Sequence, residues 1–402
     1  MQHKKLNFHF YNTLCSKSTH SMLFKHHDVT SGNAAQTFFG LIADGLNQNP
    51  LSRVYVNSIL PVNYLEQKKR FWNLKSEEEN DIRYNYVPII NLPFFKNLLS
   101  SIYIFFEILF KKFSSEEKNI MILDFLRFSI NFPVILACKL RGIKTLVVVT
   151  DLPGESVKKQ TLKVKIRNLF IFSLLFDFYV CVTEELNIVV NKKKRPFLII
   201  ECFANIKFET LNNLLKNKFQ ERTLIYAGSL YERYGLKHLI EGFMMIKDNN
   251  VRLCFFGVGP FSQEIEKYSK IDSRIQYKGV IPNNELIKIL TKASILINPR
   301  PSHENYTKYS FPSKNMEFMS VGTPLLTSKL PGIPKDHFPF IYLIEEESSL
   351  GIYNAICLLL QKTQEELHEF GLRSKRFTLK EKNNIVQGTK IINLIQSKFL
   401  LL

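Results

Sequence analysis

The sequence has 402 residues, 45% of them hydrophobic, with 16 Gly and 16 Pro, which excludes a disordered or fibrous chain and predicts two domains. A formal net charge of +18 makes nucleic acid, an anionic membrane surface and phosphate-bearing small molecules candidate partners. Residues 1–205 contain 27 Lys and Arg against 17 Asp and Glu, so they carry +10 and the excess charge is spread over both halves.

Short apolar runs alternate with longer helix-like stretches, a pattern typical of βα units on a mostly parallel sheet. Strands are predicted in the first half at residues 52–59, 119–123, 145–151 and 178–183. Strands are predicted in the second half at residues 222–229, 251–259, 274–280, 294–300 and 323–328. The polar, basic stretch 203–221 suits a linker. Helical spacing predicts a C-terminal amphipathic helix that contains Ile385, Ile391, Ile392 and Ile395.

The cysteines and the chain start bear on the cellular compartment. The six cysteines include no C-x-x-C pair, which argues against a zinc site or disulfide framework and predicts reduced, buried thiols in a cytosolic protein. The N-terminus MQHKKLNFHFYN lacks the apolar core of a signal peptide. The apolar runs 98–110 and 169–182 each contain an acidic residue and are shorter than the ~18 residues of a spanning helix. No transmembrane segment is therefore predicted.

Two segments, 94–113 and 158–172, combine aromatic and apolar residues with Lys and Arg. Such composition suits a surface on an anionic leaflet, and it equally suits core helices with solvated basic edges. We favour the core-helix interpretation for 94–113 and membrane contact for 158–172, which carries five basic residues and no acid.

Four segments of the second half resemble a known family in their order and spacing. They are LIYAGSLYERYGLKHLIEGF (224–243), CFFGVGP (254–260), IQYKGVIPNNELIKILTKASILINPR (275–300) and FPSKNMEFMSVGTPLL (311–326). Together they resemble the nucleotide-binding domain of retaining GT-B glycosyltransferases of family four, the glycosyl transferases group 1. HDVTSGNAAQTFFGLIADGL (27–46) and VVVTDLPG (147–154) resemble the partner domain of the same family, with looser motifs.

This resemblance implies an α/β protein of GT-B fold, with two Rossmann-like doubly wound domains that face a cleft. The implied bounds are an acceptor-side domain at 1–205, a nucleotide-sugar-binding domain at 206–380, and a helix at 381–402 that packs back on the first domain. It also implies a location for the site, because ligands of open α/β sheets collect outside the carboxyl ends of the strands.

The implied activity is transfer of a sugar, with retention, from a nucleoside-diphosphate donor to a glycan acceptor. From family and charge we expect an acceptor linked to polyprenyl diphosphate, as in bacterial capsule or O-antigen synthesis, and a cytoplasmic protein in peripheral contact with the anionic inner face of the plasma membrane. A sugar-nucleotide epimerase and a catalytically inactive, glycosyltransferase-like binding subunit remain alternatives. Nucleic acid is not an expected partner, because no RNA-binding module with interleaved aromatic residues is recognised.

The stretch FPSKNMEF is the centre of the predicted donor site. Pro312 is pre-set for a first helical turn, and a helix N-terminus binds anions through its unpaired N–H groups. The resemblance implies that Ser313 and Lys314 hold the donor diphosphate and that Glu317 accepts hydrogen bonds from the ribose hydroxyls. Taken alone, Lys314 and Glu317 also fit an ordinary i,i+3 pair worth about 0.2–0.5 kcal/mol. The surrounding family matches favour the donor site.

Three charges of the family pattern are missing. Tyr309 stands eight residues before Glu317, where the family has a second glutamate. Ser229 and Tyr234 stand where the family often has a phosphate-directed Arg and Lys after Gly228. These departures leave room for an altered donor or an inactive protein.

A departing nucleoside diphosphate accumulates negative charge, so a cation must replace those that are missing. Arg300 and Lys314 are the preferred catalytic replacements, because a strand end and a helix start are expected to present them to the cleft. Arg233 and Lys308 are alternatives, for which we favour the interpretation as solvent-exposed loop charges. Arg233 is kept as a donor-binding candidate beside Gly228 and Ser229.

The remaining candidates lie at other predicted strand ends. Gly257 belongs to a GVGP run in which Ser262 breaks the G-x-G-x-x-G spacing, so a dinucleotide cofactor is not expected. Gly32 and Asn33 would let the backbone approach the donor, unless this loop is a plain helix cap. Asp151 either caps a turn or orients the reacting sugar or acceptor. No Asp-x-Asp occurs in the chain, and no metal or other cofactor is expected.

Overall fold

The structure is a computed structural model that describes residues 5–24, 33–114, 116–152 and 175–399. The chain divides into two compact units. The first contains the residues up to Phe203 together with those from Asn384 onward, and the second is Ala204–Asn383. The predicted boundaries, after residues 205 and 380, differ from these by two and three residues.

The first unit is built on a mainly parallel sheet whose central strands are largely buried. Its described strands are β1 (Leu6–Asn12), β2 (Ser52–Ser58), β3 (Phe71–Trp72), β4 (Glu77–Glu79), β5 (Ile82–Tyr86), β6 (Ile89–Ile90), β7 (Lys118–Asp124), β8 (Lys144–Val149), β9 (Phe178–Cys181) and β10 (Phe197–Ile199). Eight of them form one sheet in the order β10-β9-β8-β7-β1-β2-β5-β4, in which only the edge strand β4 pairs antiparallel. Its strand β1 pairs with β2 on one side and β7 on the other.

Five described helices precede the second unit. They are α1 (Lys17–Leu23), α2 (Asn33–Asn47), α3 (Phe95–Phe110), α4 (Phe128–Arg141) and α5 (Glu184–Val190). Helix α3 packs against α4, where Ser101 Oγ donates a 2.6 Å hydrogen bond to the Ser129 carbonyl. None of the helices among the described residues is both long and apolar enough to cross a membrane.

The core-helix interpretation of segment 94–113 is wrong. Helix α3 buries only the face formed by Ser100, Ile104 and Ile108. The large apolar side chains on the opposite face, including Ile102 and Phe106, are exposed. Composition cannot distinguish a helix buried on all sides from one that is apolar on an exposed face, because both are rich in Phe, Ile and Leu.

The second unit is a six-stranded parallel sheet with helices between its strands. The strands are β11 (Arg222–Ala227), β12 (Val251–Phe256), β13 (Ile275–Tyr277), β14 (Ile295–Asn298), β15 (Leu325–Ser328) and β16 (Tyr342–Ile344). The helices are α6 (Leu236–Met244), α7 (Ser262–Ile271), α8 (Asn283–Leu290), α9 (Ser313–Val321), α10 (Ser349–Leu360) and α11 (Gln364–Glu381). The strand order β13-β12-β11-β14-β15-β16 is that of a Rossmann fold.

The core of the second unit lies between its sheet and its helices. Phe243 of α6 is fully buried against apolar residues of the central strands, among them Leu253, Phe255 and Ile295. The predicted linker holds two short 3-10 helices, Ile206–Thr210 and Leu215–Asn217.

The C-terminal helix α12 (Asn384–Phe399) belongs to the first unit, where it packs against α2. Its Ile391, Ile392 and Ile395 are buried, as the predicted amphipathic pattern requires. The six cysteines all lie in described residues and none forms a disulfide, and five of them are buried.

The nine predicted strands are confirmed as β2, β7, β8, β9 and β11–β15. Strand β5 was not predicted, although its buried Ile82, Tyr84 and Tyr86 show the period-2 alternation of a half-buried strand. Strand β4 consists of three glutamates, a composition that no strand propensity favours.

Candidate functional site

The strand order of the second unit reverses between β11 and β14. These two strands pair in parallel, with Leu224 opposite Ile295 and Ile225 opposite Leu296. The chain continues from β11 toward one edge of the sheet and from β14 toward the other. Such a switch point opens a crevice at the carboxyl ends of the two strands, where ligands of open α/β sheets bind. The residues that follow Ala227 and Asn298 therefore form the walls of the candidate site.

Two glycines hold these strand ends close together. Gly257, after β12, has a φ of +128°, and a Cβ atom there would collide with the Gly228 carbonyl oxygen after β11. Gly235 has a φ of +79°, and its Cβ would collide with the Pro299 carbonyl oxygen after β14. Gly228 and Gly257 thus have a packing role in this structure, and donor binding by either one remains a prediction.

Two arginines share a pair of tyrosine rings at this switch point. The Arg300 guanidinium carbon lies 4.3 Å from the ring centre of Tyr234 and 5.7 Å from that of Tyr306. The Arg233 guanidinium carbon lies 5.5 Å from the Tyr234 ring and 5.8 Å from the Tyr306 ring. A cation over an aromatic face contributes about 0.5–2 kcal/mol, depending on its desolvation. The structure therefore brings two of the predicted cations together and fixes Arg300 at the end of β14.

Arg300 has one unused hydrogen-bond donor and influences the pKa of a neighbouring tyrosine. Its buried Nε has no hydrogen-bond acceptor among the described residues. Burial raises the pKa of the Tyr306 hydroxyl, and the nearby charge of Arg300 opposes that rise. The cluster therefore places two guanidinium groups around the rings of Tyr234 and Tyr306.

Helix α9 begins beside this cluster without a capping side chain. Pro312 occupies the N-cap position with ψ of 96°, one residue earlier than the predicted first turn, and Ser313 is the first helical residue. A helix start without a side-chain cap leaves N–H groups of its first turn available to an anion, here those of Ser313 and Lys314, because the Asn315 N–H donates to the Pro312 carbonyl at 2.8 Å. Ser313 is exposed at this end, and its contact with a diphosphate stays a prediction.

Lys314 and Glu317 contact each other in the structure. The Lys314 Nζ lies 3.2 Å from Oε1 and 3.1 Å from Oε2 of Glu317, and the two side chains are 39% and 23% exposed. This is the i,i+3 pair that the residues alone suggested. The pair is partly open to solvent, and its binding roles remain predictions.

A buried polar network ties α9 to the strand ends. The Asn298 Nδ2, at the end of β14, donates a 2.6 Å hydrogen bond to Asn315 Oδ1 in the first turn of α9. The Asn315 Nδ2 in turn donates to Thr327 Oγ1 on β15, and that hydroxyl donates to the Asn298 carbonyl. Buried networks of this kind rigidify what they join. The helix start is therefore fixed next to Pro299 and Arg300.

The other predicted residues lie apart from this network. Ser229 is exposed, and its carbonyl oxygen accepts a 2.8 Å hydrogen bond from the Tyr226 hydroxyl. Asp151 belongs to the first unit, where it is exposed two residues after β8. Asn33 is the first residue of α2, and Gly32 lies outside the described residues.

A cavity of about 350 Å³ in the first unit contains none of the predicted residues. It lies between the sheet and α3, where it is lined by residues that include Tyr55, Arg83, Asn85, Glu107 and Lys111. Both carboxylate oxygens of Glu107 already accept hydrogen bonds, one from the Tyr11 hydroxyl at 2.6 Å and the other from Lys111 at 2.9 Å.

Comparison with known proteins bears on the second unit most directly. Residues 221–362 match the family model described as glycosyl transferases group 1. The second unit contains a glycosyl transferases group 1 domain. WcaL of Escherichia coli K12, named as a colanic acid biosynthesis glycosyltransferase, is 23% identical over 182 residues, 43% of this chain. The match spans 45% of the length of WcaL.

Solved structures resemble the whole chain. Sucrose-phosphate synthase from Thermosynechococcus elongatus aligns over 99% of this chain and all of its own, with a TM-score of 0.65 and 14% identity. HepE from Anabaena, solved in complex with UDP and glucose, aligns over 98% of this chain and all of its own, with a TM-score of 0.61 and 11% identity. At such low identity these likenesses show the fold, which is the GT-B fold of glycosyltransferases, with two Rossmann-like domains.

The group 1 domain contains site residues that sequence reasoning missed. Tyr306 and the buried pair Asn298 and Asn315 were not predicted, and Tyr234 was noted only as the replacement of a family lysine. The sequence feature that could have indicated a site role for Tyr234 is its position one residue before Gly235, in the loop after β11. Tyr306 lies in a 3-10 turn between β14 and α9, and the sequence of that turn gives no sign of the arginines it contacts.

Proposed function

We propose that this protein is a retaining glycosyltransferase that moves a sugar from a nucleoside-diphosphate donor to a glycan acceptor. The observation that carries the proposal is the juxtaposition, at the β11/β14 switch point of the group 1 domain, of Arg300 and the uncapped start of α9. Preorganised cations and N–H groups at such a position stabilise the charge of a departing diphosphate. The match of residues 221–362 to the group 1 family supports the same activity.

In the proposed reaction an acceptor hydroxyl oxygen attacks the anomeric carbon on the face from which the nucleoside diphosphate leaves. The bond between that carbon and the β-phosphate oxygen breaks, and a phosphate oxygen takes the acceptor proton. Arg300, Lys314 and the α9 amides stabilise the leaving group, and Ser313 contributes a hydroxyl to it. Glu317 holds the ribose, which requires that the Lys314–Glu317 pair open or turn toward the donor.

The other proposed contacts follow the family pattern. Gly228, Ser229, Arg233 and Gly257 would line the donor crevice, and donor contact by Gly32 and Asn33 stays a prediction. Asp151 would orient the reacting sugar or the acceptor. No metal or other cofactor is proposed, because these residues provide cations and N–H groups for the leaving diphosphate.

The proposed acceptor is a polyprenyl-diphosphate-linked glycan at the inner face of the plasma membrane. The name of WcaL assigns that relative to a polysaccharide pathway, which supports a role in bacterial surface polysaccharide synthesis, of capsule or O-antigen type. The net charge of +18 suits an acceptor that carries phosphate on an anionic leaflet. Segment 158–172, for which membrane contact was favoured, lies outside the described residues.

A donor screen tests this proposal. Sugar nucleotides are added singly while the thermal unfolding temperature is recorded, because a ligand stabilises the native state in proportion to RT ln(1 + [L]/Kd). Donors that stabilise the protein are then incubated with bacterial membranes, and release of nucleoside diphosphate is measured. We expect one class of sugar nucleotide to give both signals and Lys314→Ala to weaken both.

The matched control is Lys270→Ala, which removes an exposed lysine from α7 of the same unit. If Lys314→Ala and Lys270→Ala turn over the donor equally well, the proposed role of Lys314 is wrong. Donor stabilisation without any release of nucleoside diphosphate would indicate the alternative, a binding subunit. Conversion of one sugar nucleotide into another would indicate an epimerase.

A further inference from the structure

Helices α3 and α4 of the first unit form an exposed apolar surface. Of the 28 large apolar side chains that are exposed in the described part of the chain, 13 lie between Phe94 and Leu140, so the exposure is concentrated rather than scattered. On α3 the set includes Ile102, Phe106 and Phe110, and on α4 it includes Phe132 and Leu136. We call this set the α3–α4 surface. Soluble proteins rarely expose contiguous apolar patches of this size unless the patch binds something.

The exposed side chains of the two helices follow helical spacing. On α3 the residues Ser100, Ile104 and Ile108 are buried, so the apolar side chains of the opposite face point away from the sheet. On α4 the exposed Phe128, Phe132, Leu136 and Leu140 recur every four residues, which places them along one stripe. Because α3 packs against α4, the two stripes lie on neighbouring helices of one layer.

The segments that form the α3–α4 surface carry a net positive charge. Segments 94–112 and 124–141 contain six basic and two acidic residues, Glu107 and Asp124, and Asp124 pairs with Arg127 at 3.6 Å. The Glu107 carboxylate is neutralised by Lys111 at 2.9 Å and by the hydrogen bond from Tyr11. Lys112 and Lys139 are exposed at the ends of α3 and α4. An apolar face rimmed by free cations matches an anionic lipid leaflet, in which aromatic side chains enter the interface and Lys meets the headgroups.

A second copy of the chain is a less suitable occupant of this surface. A two-fold contact is isologous, so it would bring the basic rim of one copy against the basic rim of the other. Such like-charge contacts oppose association, whereas anionic headgroups neutralise the same cations.

We propose that the α3–α4 surface docks the protein on an anionic lipid bilayer, with the exposed Phe, Ile and Leu side chains inserted at the interface and Lys112 and Lys139 against the headgroups. The docking is peripheral, because the apolar residues form faces of helices that also pack in the fold. This inference does not depend on the proposed glycosyl transfer, since it concerns a surface of the first unit that holds none of the proposed donor residues.

Vesicle flotation with the full chain tests the docking. The protein is floated with vesicles of phosphatidylcholine alone and of phosphatidylcholine mixed with phosphatidylglycerol, at low and high salt. We expect recovery with the mixed vesicles and a loss at high salt, because screening weakens contacts between exposed charges. The double variant Phe106→Ser with Phe110→Ser should reduce the partition coefficient at least ~tenfold, since two large apolar side chains no longer enter the interface.

The matched control is Ile271→Ser with Leu358→Ser, which removes two exposed apolar side chains from the second unit and should float like the wild type. The variant Lys112→Glu with Lys139→Glu should lose at least ~tenfold on the mixed vesicles only. Melting by circular dichroism verifies that each variant is folded. If the Phe106 and Phe110 variant melts early, Phe94→Ser with Leu140→Ser takes its place, because both side chains are largely exposed.

Equal flotation of the wild type and the surface variants would overturn the proposal, as would equal flotation on charged and uncharged vesicles. Light scattering tests the remaining alternative, in which the α3–α4 surface forms a dimer. A dimer that dissociates in the Phe106 and Phe110 variant, without flotation of the wild type, would make the α3–α4 surface an interface between copies and would also overturn the proposal.

Discussion

In both units a parallel sheet has its first strand in the middle, with β1 between β2 and β7 in the first unit and β11 between β12 and β14 in the second. The units differ in where their chemistry lies. The second gathers Arg233, Arg300 and the start of α9 at the carboxyl ends of its strands. The first directs two helices of aromatic and aliphatic side chains toward solvent. The comparison shows that similar sheets present clustered cations at the strand ends of one unit and an extended apolar surface on the helices of the other.

The largest expected effect tests whether the apolar side chains of α6 stabilise the fold while those on the outer face of α3 do not. Phe243→Ala in α6 should lower the free energy of unfolding of the second unit by about 3–5 kcal/mol, because the side chain is 0% exposed and leaves a cavity. Phe106→Ala in α3, 49% exposed, should change the stability of the first unit by less than ~0.5 kcal/mol. Urea unfolding measures both. A large cost for Phe106→Ala would mean that the outer face of α3 contributes to folding.

The next effect concerns the proposed catalysis, for which the second unit provides the candidate cations. Arg300→Ala should lower the turnover of a donor about 10²–10³-fold, the usual loss when one preorganised group facing developing negative charge is removed. Steady-state release of nucleoside diphosphate measures this. Lys247→Ala, at an exposed position between α6 and β12, is the matched charge control and should leave turnover unchanged. A drop of the same size in the control would point to net charge rather than to the site.

Acid should affect the first unit through His9. Burial lowers the pKa of this β1 imidazole to about 4, against a hydrogen bond to Asn119 Oδ1 that raises it. The folded pKa lies below the unfolded value of 6.5, so the unfolded state binds more protons between pH 6.5 and 4. Stability from His9 is therefore complete above pH 6.5 and falls through this window, by roughly 3 kcal/mol.

Urea midpoints of the first unit, recorded across this pH range, measure the His9 contribution. The variant His9→Gln keeps a polar group near Asn119 and does not titrate, so its midpoint should fall less steeply with acid. An unchanged pH slope in His9→Gln would assign the acid sensitivity to other groups.

The smallest structural effect separates the two interpretations of the Lys314–Glu317 pair. Glu317→Gln should change the free energy of unfolding by only about 0.2–0.5 kcal/mol, because the pair is partly exposed. If Glu317 also holds the donor ribose, the same variant should weaken donor binding by a much larger factor, measured by titration calorimetry. Donor affinity that changes no more than stability would leave Glu317 as half of a surface ion pair.

The sequence determined the strands and the family of the second unit. Its strands are continuous apolar runs at α/β spacing, and buried parallel strands need such runs because both of their faces are covered. Its candidate cations were named from motif positions, and two of them, Arg233 and Arg300, lie together in the structure. The contact between Arg233 and Tyr306 could not be predicted, because the two residues are 73 positions apart in sequence and meet only after the strands pair.

Strand β4 shows the same limit in the first unit. Its Glu77 accepts hydrogen bonds from the hydroxyls of Ser16, Ser18, Thr19 and Tyr86. Burial raises the pKa of this carboxyl, and the hydroxyl donors outweigh burial and bring it to about 2. Glu77 can lie half-buried in this strand because hydroxyl donors distant in sequence compensate for the desolvation of its carboxylate, whereas Glu78 is exposed.

Apolar periodicity and motif order thus determined the fold class, the strands of the core and the positions of the candidate donor residues, since these features depend on neighbours along the chain. Tertiary structure alone decided which cations share an aromatic partner, which glycines are packing contacts and which apolar helix face meets solvent. Each of these depends on groups that are distant in sequence and become neighbours only when strands pair and helices pack. The same apolar composition is buried in α6 and exposed in α3 for that reason.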